Sequence, residues 1–260
     1  MTWTTLPRSE LAPGLSGWRA GSGPDLVLIH GVGLRAEAWG ALIPLLTPHA
    51  RLHVIDMPGH GTSAPPDAPG LDGFTPPIAN YINQLPGPAG VVGHSMGAMI
   101  ALDLAAKLPD RIIHVAALNA IFERSAPATA AVKARAQSLS STAPGDPGAT
   151  LTRWFGPDHN TDMARACADW LTSCDPASYK AAYTVFATHP GPSRTQLANL
   201  TCPALFLTGA DEPNSTPQMT HQMADLAPNA TAIILENAAH MAPMTHAAAI
   251  APHLIAQVPA

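Results

Sequence analysis

Short apolar runs recur along the chain, at residues 26–29, 52–55, 90–92, 112–118, 204–209 and 232–235, and each ends in glycine or runs into a polar or turn-forming residue. Runs with so little alternation fit strands buried on both faces of a parallel sheet. Between them the spacing turns helical. Residues 35–46 carry Ala38, Trp39, Leu42 and Leu46 on or near one face, and further helices are expected over 77–85, 98–108 and 245–257. Residues 1–24 read as a short antiparallel lead-in, with a strand over 15–20 and a turn at 21–24. Strands that alternate with helices imply an α/β fold, its sheet mostly parallel and covered on both faces.

The pattern breaks between residues 120 and 194. This stretch holds alanine-rich helical segments, a turn cluster at 143–148, and the aromatics Trp154, Phe155, Trp170, Tyr179, Tyr183 and Phe186, with no convincing strand. We expect a helical cap over 120–194, inserted into a core domain made of 1–119 and 195–260.

Composition narrows the function classes. Net charge is −5 and no run of Lys or Arg occurs, so nucleic acid is not an expected partner. The first residues lack the apolar core of a signal peptide, and no stretch approaches the ~18 apolar residues of a membrane span. Three cysteines, Cys167, Cys174 and Cys202, form no C-x-x-C, which suits a reducing, cytoplasmic setting. The 12 histidines show no metal-ligand spacing. Neither a metal nor a cofactor is expected.

The chemistry centres on Gly93-His94-Ser95-Met96-Gly97, set between the run at 90–92 and the helix at 98–108. Strand, Gly-x-Ser-x-Gly and helix in that order describe a nucleophile elbow, which exposes Ser95 Oγ on a sharp turn. A serine hydroxyl needs a base, and His240, after the strand at 232–235, is the candidate. An acid must orient that histidine; Asp211 and Glu212, after the strand at 204–209, compete for the role.

The order serine, acid, histidine, together with His30-Gly31, residues 56–63 (Asp-Met-Pro-Gly-His-Gly-Thr-Ser), residues 93–97, Thr208-Gly209 and Ala239-His240-Met241, resembles the α/β-hydrolase superfamily over nearly the whole chain. Within it the chain resembles small bacterial hydrolases of the 3-oxoadipate enol-lactonase and esterase type. One departure is Ala98, where many relatives have a second glycine. The resemblance implies an eight-stranded sheet. It implies two oxyanion donors, the N–H groups of Met96 and Val32. It also puts the acid three residues after Gly209, at Glu212, although Asp is the commoner residue and points to Asp211. Pro213 biases Glu212 towards extended backbone, whereas an Asp readily hydrogen-bonds within its own turn; Glu212 is therefore chosen, with Asp211 as the alternative.

The expected activity is hydrolysis of a small carboxylic ester or lactone through an acyl-serine. The same triad serves carbon–carbon hydrolases of vinylogous diketones and cofactor-free perhydrolases, and a non-catalytic ligand-binding protein could retain it. His30, Trp154, Trp170 and Phe186 are candidate pocket residues, with core packing as the competing role for each. His30, His94 and His60 are read as packing and loop-ordering histidines, and Asp56 as ordering its own loop. The enol-lactonase resemblance implies an acidic substrate, whose carboxylate could pair with Arg124, Arg135 or Arg153; the alternative is that these are solvated charges.

Overall fold

Eight strands form one sheet: β1 (Ser9–Ala12), β2 (Leu15–Ala20), β3 (Asp25–Ile29), β4 (Arg51–Ile55), β5 (Ala89–His94), β6 (Ile112–Leu118), β7 (Ala204–Gly209) and β8 (Ala230–Leu235). The structure, a computed structural model, describes residues 6–157 and 159–259; the first five residues of the expected lead-in therefore lie outside it. The strand order is β1-β2-β4-β3-β5-β6-β7-β8. The pairs β1/β2 and β2/β4 are antiparallel, and the rest of the sheet is parallel. The strand period of two sends alternate side chains to two cores. Val27, Ile29, Val91, Val115 and Phe206 join one core with Ile78 and Ile82, while Leu26, Leu28, Val92, Leu205 and Leu207 join the other with Leu46, Ile250 and Leu254.

Three helices before β6 depart from their sequence expectations. Residues 35–46 form a 3-10 turn (Ala36–Trp39) and then a short α1 (Ile43–Leu46). Pro44 lacks the N–H needed to continue a preceding helix and suits only a first turn. The helix expected at 77–85 becomes α2 (Thr75–Gln84), because Pro76 and Pro77 are accommodated in its first turn. The central helix α3 (Met96–Lys107) follows Ser95 directly.

Between β6 and β7 the described residues contain no strand. They form α4 (Ala126–Ser138), α5 (Gly148–Phe155), α6 (Asp162–Ser173), α7 (Pro176–Thr188) and α8 (Arg194–Ala198). A third apolar cluster joins Leu151, Trp154, Cys167, Trp170 and Leu171 of α5 and α6 to Leu34, Ala38, Met241 and Met244. This docks the helices onto loops at the C-terminal ends of the strands, where α/β folds place their sites. After β7 come α9 (Pro217–Leu226), β8, and the last helix, which is split: α10 (Ala242–Thr245) and α11 (Ala247–Ile255) meet at His246, whose φ of −126° and ψ of 30° are not helical.

Candidate active site

Ser95 stands between β5 and α3 with φ 58° and ψ −117°. A side chain at positive φ costs about 1–3 kcal/mol and persists only where its surroundings enforce it. Here they do. Its N–H donates to Leu118 O at 2.9 Å, and its carbonyl accepts from Ala98 N–H at 3.0 Å. Both neighbouring glycines are obligatory: a Cβ on Gly93 would run into the carbonyl of Gly97, and one on Gly97 into the carbonyl of Ile29. The strand and helix can thus close on each other and push Ser95 outward.

His240, in the loop after β8, donates from Nδ1 to Glu212 Oε2 at 2.6 Å. A carboxylate only accepts, so Nδ1 carries a proton, and in the neutral imidazole Nε2 is the nitrogen with the lone pair. Glu212 is 3% exposed. Asn119 Nδ2 donates to the same Oε2 at 3.1 Å, and the N–H groups of Asn214 (2.7 Å) and Ser215 (3.4 Å) donate to Oε1. Burial opposes the charged form, but His240 and the two backbone donors outweigh it and hold the carboxyl below its ordinary range. Asp211 is exposed, and its N–H donates to Ala238 O at 3.0 Å. Of the two neighbouring acids, it is Glu212 that meets His240.

Two buried histidines shape the loop after β3. His30 Nε2 accepts from Met57 N–H at 3.0 Å, so its Nδ1 carries the proton and donates to Gly31 O at 2.8 Å. His60 Nε2 accepts from Gly33 N–H at 3.0 Å and its Nδ1 donates to Pro58 O at 3.1 Å. Burial depresses the pKa of both, that of His30 strongly. Their tautomers are set by backbone N–H groups that can only donate, as neutral imidazoles require. The N–H of Gly33 is used by His60 and that of Leu34 by Gly31 O, whereas among the described residues the Val32 N–H has no assigned acceptor. Met96, first in α3, has no intrahelical partner for its N–H. A Cβ on Gly31 would lie 3.0 Å from Ser95 Cβ, so this loop passes against the serine.

A cavity of about 400 Å³ opens over these groups, lined among others by Val32, Ser95, Asn214 and His240. Trp154, Tyr179, Tyr183 and Phe186 wall it, and Arg135 and Arg153 line it too. Trp154 stacks on His240, with ring centroids 5.7 Å apart and planes 24° apart. Arg135 lies over the Tyr183 ring at 5.4 Å and donates to Thr150 Oγ1 at 2.8 Å. Arg124 is set behind the wall: its guanidinium lies 4.2 Å over the Phe186 ring, and burial lowers it to about 10, so it remains a cation at neutral pH.

Two expected pocket residues stand elsewhere. His30 is fully buried beneath the loop and does not reach the cavity. Trp170 lies in the apolar cluster with Leu34 and Met244 and borders a separate cavity with Arg35, whose guanidinium is 5.6 Å from its ring. Its helical spacing could not distinguish the two faces of α6. Other contributors were not legible. Asn119 follows an ordinary apolar strand, and only its φ of 53° and its bond to Glu212 mark it. His94 donates from Nε2 to the His240 carbonyl at 2.8 Å, a link across 146 residues.

Among the described residues no cluster of three or more His, Cys, Asp or Glu side chains could hold a metal ion, and no helix is long and apolar enough to cross a membrane. An eight-stranded, mostly parallel sheet with helices on both faces, and a serine on a strand-to-helix elbow, are the marks of the α/β-hydrolase class. The alpha/beta hydrolase family model matches residues 26–253, and the chain belongs to that family. It is 39% identical to the (E)-2-((N-methylformamido)methylene)succinate hydrolase of Acinetobacter baylyi over 229 residues, which cover 86% of each chain. It is 29% identical to the pimeloyl-[acyl-carrier protein] methyl ester esterase of Aeromonas hydrophila, over 88% of this chain and 92% of that protein. The enol-lactonase from Burkholderia xenovorans LB400 shares the fold, with a TM-score of 0.82 at 23% identity over 96% of this chain and 99% of that one.

Proposed function

We propose that the chain is a serine hydrolase that cleaves a small acyl compound bearing carboxylates, through an acyl-enzyme on Ser95. The bond is an ester, a lactone or an activated amide; the Acinetobacter relative is named for an N-acylated aminomethylene succinate. The observation that carries the substrate class is that Arg135 and Arg153 line the cavity that also holds Ser95 and His240. Cations facing a reactive serine favour an anionic substrate, and an arginine fork matches a carboxylate in two hydrogen bonds.

In this reading His240 Nε2 takes the Ser95 hydroxyl proton as Oγ attacks the acyl carbon. The carbonyl π electrons move to oxygen, and the N–H groups of Met96 and Val32 receive that oxyanion. Collapse expels the alcohol or amine, which takes the proton from His240. Water then gives its proton to His240 and attacks the acyl-serine, and the acid product leaves with Ser95 restored. Glu212 keeps Nδ1–H in place and stabilises the imidazolium. The segment 120–194 acts as the cap that shapes specificity, through Trp154, Tyr183 and Phe186. We place the protein in the cytoplasm on the strength of its three free cysteines.

The test is a steady-state panel of matched esters, lactones and N-acyl enamides, each with and without a free carboxylate. We expect kcat/KM to be at least about 10-fold higher for the anionic member of each pair, the worth of one good charge-assisted contact. Equal rates across the pairs would contradict it.

A further inference from the structure

Arg8, just before β1, is bonded to two buried carboxylates on different loops. Its Nε donates to Asp56 Oδ2 at 2.6 Å and its Nη2 to Asp56 Oδ1 at 3.1 Å. Its Nη2 also donates to Glu37 Oε2 at 2.6 Å, and its Nη1 to Glu37 Oε1 at 3.0 Å. Glu37 is 1% exposed and Asp56 fully buried. Arg35 stands 3.4 Å from Glu37 Oε2, but it is Arg8 that joins both acids.

Glu37 closes the loop that passes against the serine, and Asp56 begins a segment bonded to that loop. Glu37 lies in the 3-10 turn that closes the loop carrying Val32. Asp56 Oδ1 also accepts the Ala36 N–H at 2.9 Å, and its Oδ2 the Thr62 N–H at 3.3 Å. It therefore ties the end of the Val32 loop to residues 56–62, the segment whose His60 holds Gly33 N–H. One Arg8 nitrogen contacts both carboxylates, so without the cation two buried anions would face each other and push their segments apart. The donor that such a shift would displace is the Val32 N–H.

We propose that Arg8 is a positioning residue for the oxyanion site, acting through Glu37 and Asp56 on the loop that carries Val32. This rests on the serine-hydrolase reading above. Arginine is required because its planar fork binds both carboxylates at once, whereas lysine supplies one point charge. An oxyanion donor counts only in the transition state, so its displacement lowers kcat and leaves substrate binding unchanged.

The experiment compares wild type, Arg8→Lys and the charge-balanced Arg8→Met/Glu37→Gln. Lysine retains the buried charge and keeps the fold; the double variant removes one cation together with one anion. Each is checked for a cooperative thermal transition and then assayed with p-nitrophenyl acetate and with phenylboronic acid. The boronate forms a tetrahedral adduct on serine and so reports on the oxyanion donors. We expect kcat to fall about 10- to 100-fold in the folded variants, the range for a catalytic group misplaced by about 1 Å. KM should hold, and the boronate Ki should rise by a similar factor. Wild-type kcat and boronate affinity in either folded variant would overturn the proposal, and so would equal losses in kcat/KM that came entirely from KM. Failure of wild type to react with a fluorophosphonate would overturn the serine-hydrolase reading and this proposal with it; labelled wild type with unaffected variants would overturn the proposal alone.

Discussion

His94 Nε2–H donates to the backbone carbonyl of His240 at 2.8 Å. The residue before the proposed nucleophile thus fixes the main chain of the residue proposed as its base. Ring centroids of the pair are 4.9 Å apart, and burial followed by the nearby His240 pushes His94 down to about 3, so it remains a neutral donor. His94→Ala should lower kcat about 10- to 100-fold by letting His240 shift against Ser95. His94→Gln keeps an N–H donor of similar reach and should recover most of that loss. Equal kcat for wild type and the alanine variant would show that the bond does not position His240.

Glu212→Gln should lower kcat by about 10⁴-fold, because an amide can hold His240 in the wrong tautomer. Asp211→Asn should leave kcat within about threefold, as expected of an exposed side chain away from the reacting groups. Steady-state rates of the two variants test this, and the reverse ranking would reassign the acid.

Arg135→Ala and Arg153→Ala should raise KM for anionic substrates by about 10-fold each and leave matched neutral esters nearly unchanged. Both line the cavity, so their loss removes charge recognition rather than the reacting groups. A uniform loss on neutral and anionic substrates would indicate a packing role.

Stability should fall with acid in a defined direction. His30, His60 and His94 are neutral when folded, with values depressed by burial. Below about pH 6.5 the unfolded chain binds a proton at each while the native state does not. Stability is therefore complete above that value and declines as pH falls towards the folded values, by up to about 1.4 kcal/mol per pH unit for each histidine. For His94 the window reaches down to about 3. Glu212, whose folded value is depressed, adds a loss of the same sign as pH falls through the carboxylate range. Urea unfolding between about pH 7 and 5 should show this slope, and His94→Gln should be shallower by one proton. A stability independent of pH across that interval would contradict the neutral assignments.

Much of the framework was legible because it rests on local rules. The strand at 112–118 coincides with β6 and the one at 204–209 with β7, since buried parallel strands need uninterrupted apolar residues. The elbow was legible because Gly93 and Gly97 answer a steric demand within five residues. Glu212, three residues after Gly209, lies 2.6 Å from His240 Nδ1, and its part as the acid of the triad is a proposal. Long-range partners carried no local signal. Arg8 reads as an ordinary charge near the start of the chain until Glu37 and Asp56 are folded around it. Trp154 and Trp170 share the same kind of helical spacing, yet one stacks on His240 and the other packs beneath Arg35. The break of the helix over 35–46 was written in Pro44, which a count of apolar positions overlooks.

In the proposed mechanism Ser95, activated by His240, carries the acyl group. Its most direct test is peptide mass spectrometry after fluorophosphonate treatment, run beside kcat for Ser95→Ala. One adduct per chain is expected, on Ser95, with no adduct in the alanine variant and a kcat lower by about 10⁶-fold for an efficient substrate. Labelling elsewhere, or an alanine variant that retains most of its activity, would contradict it.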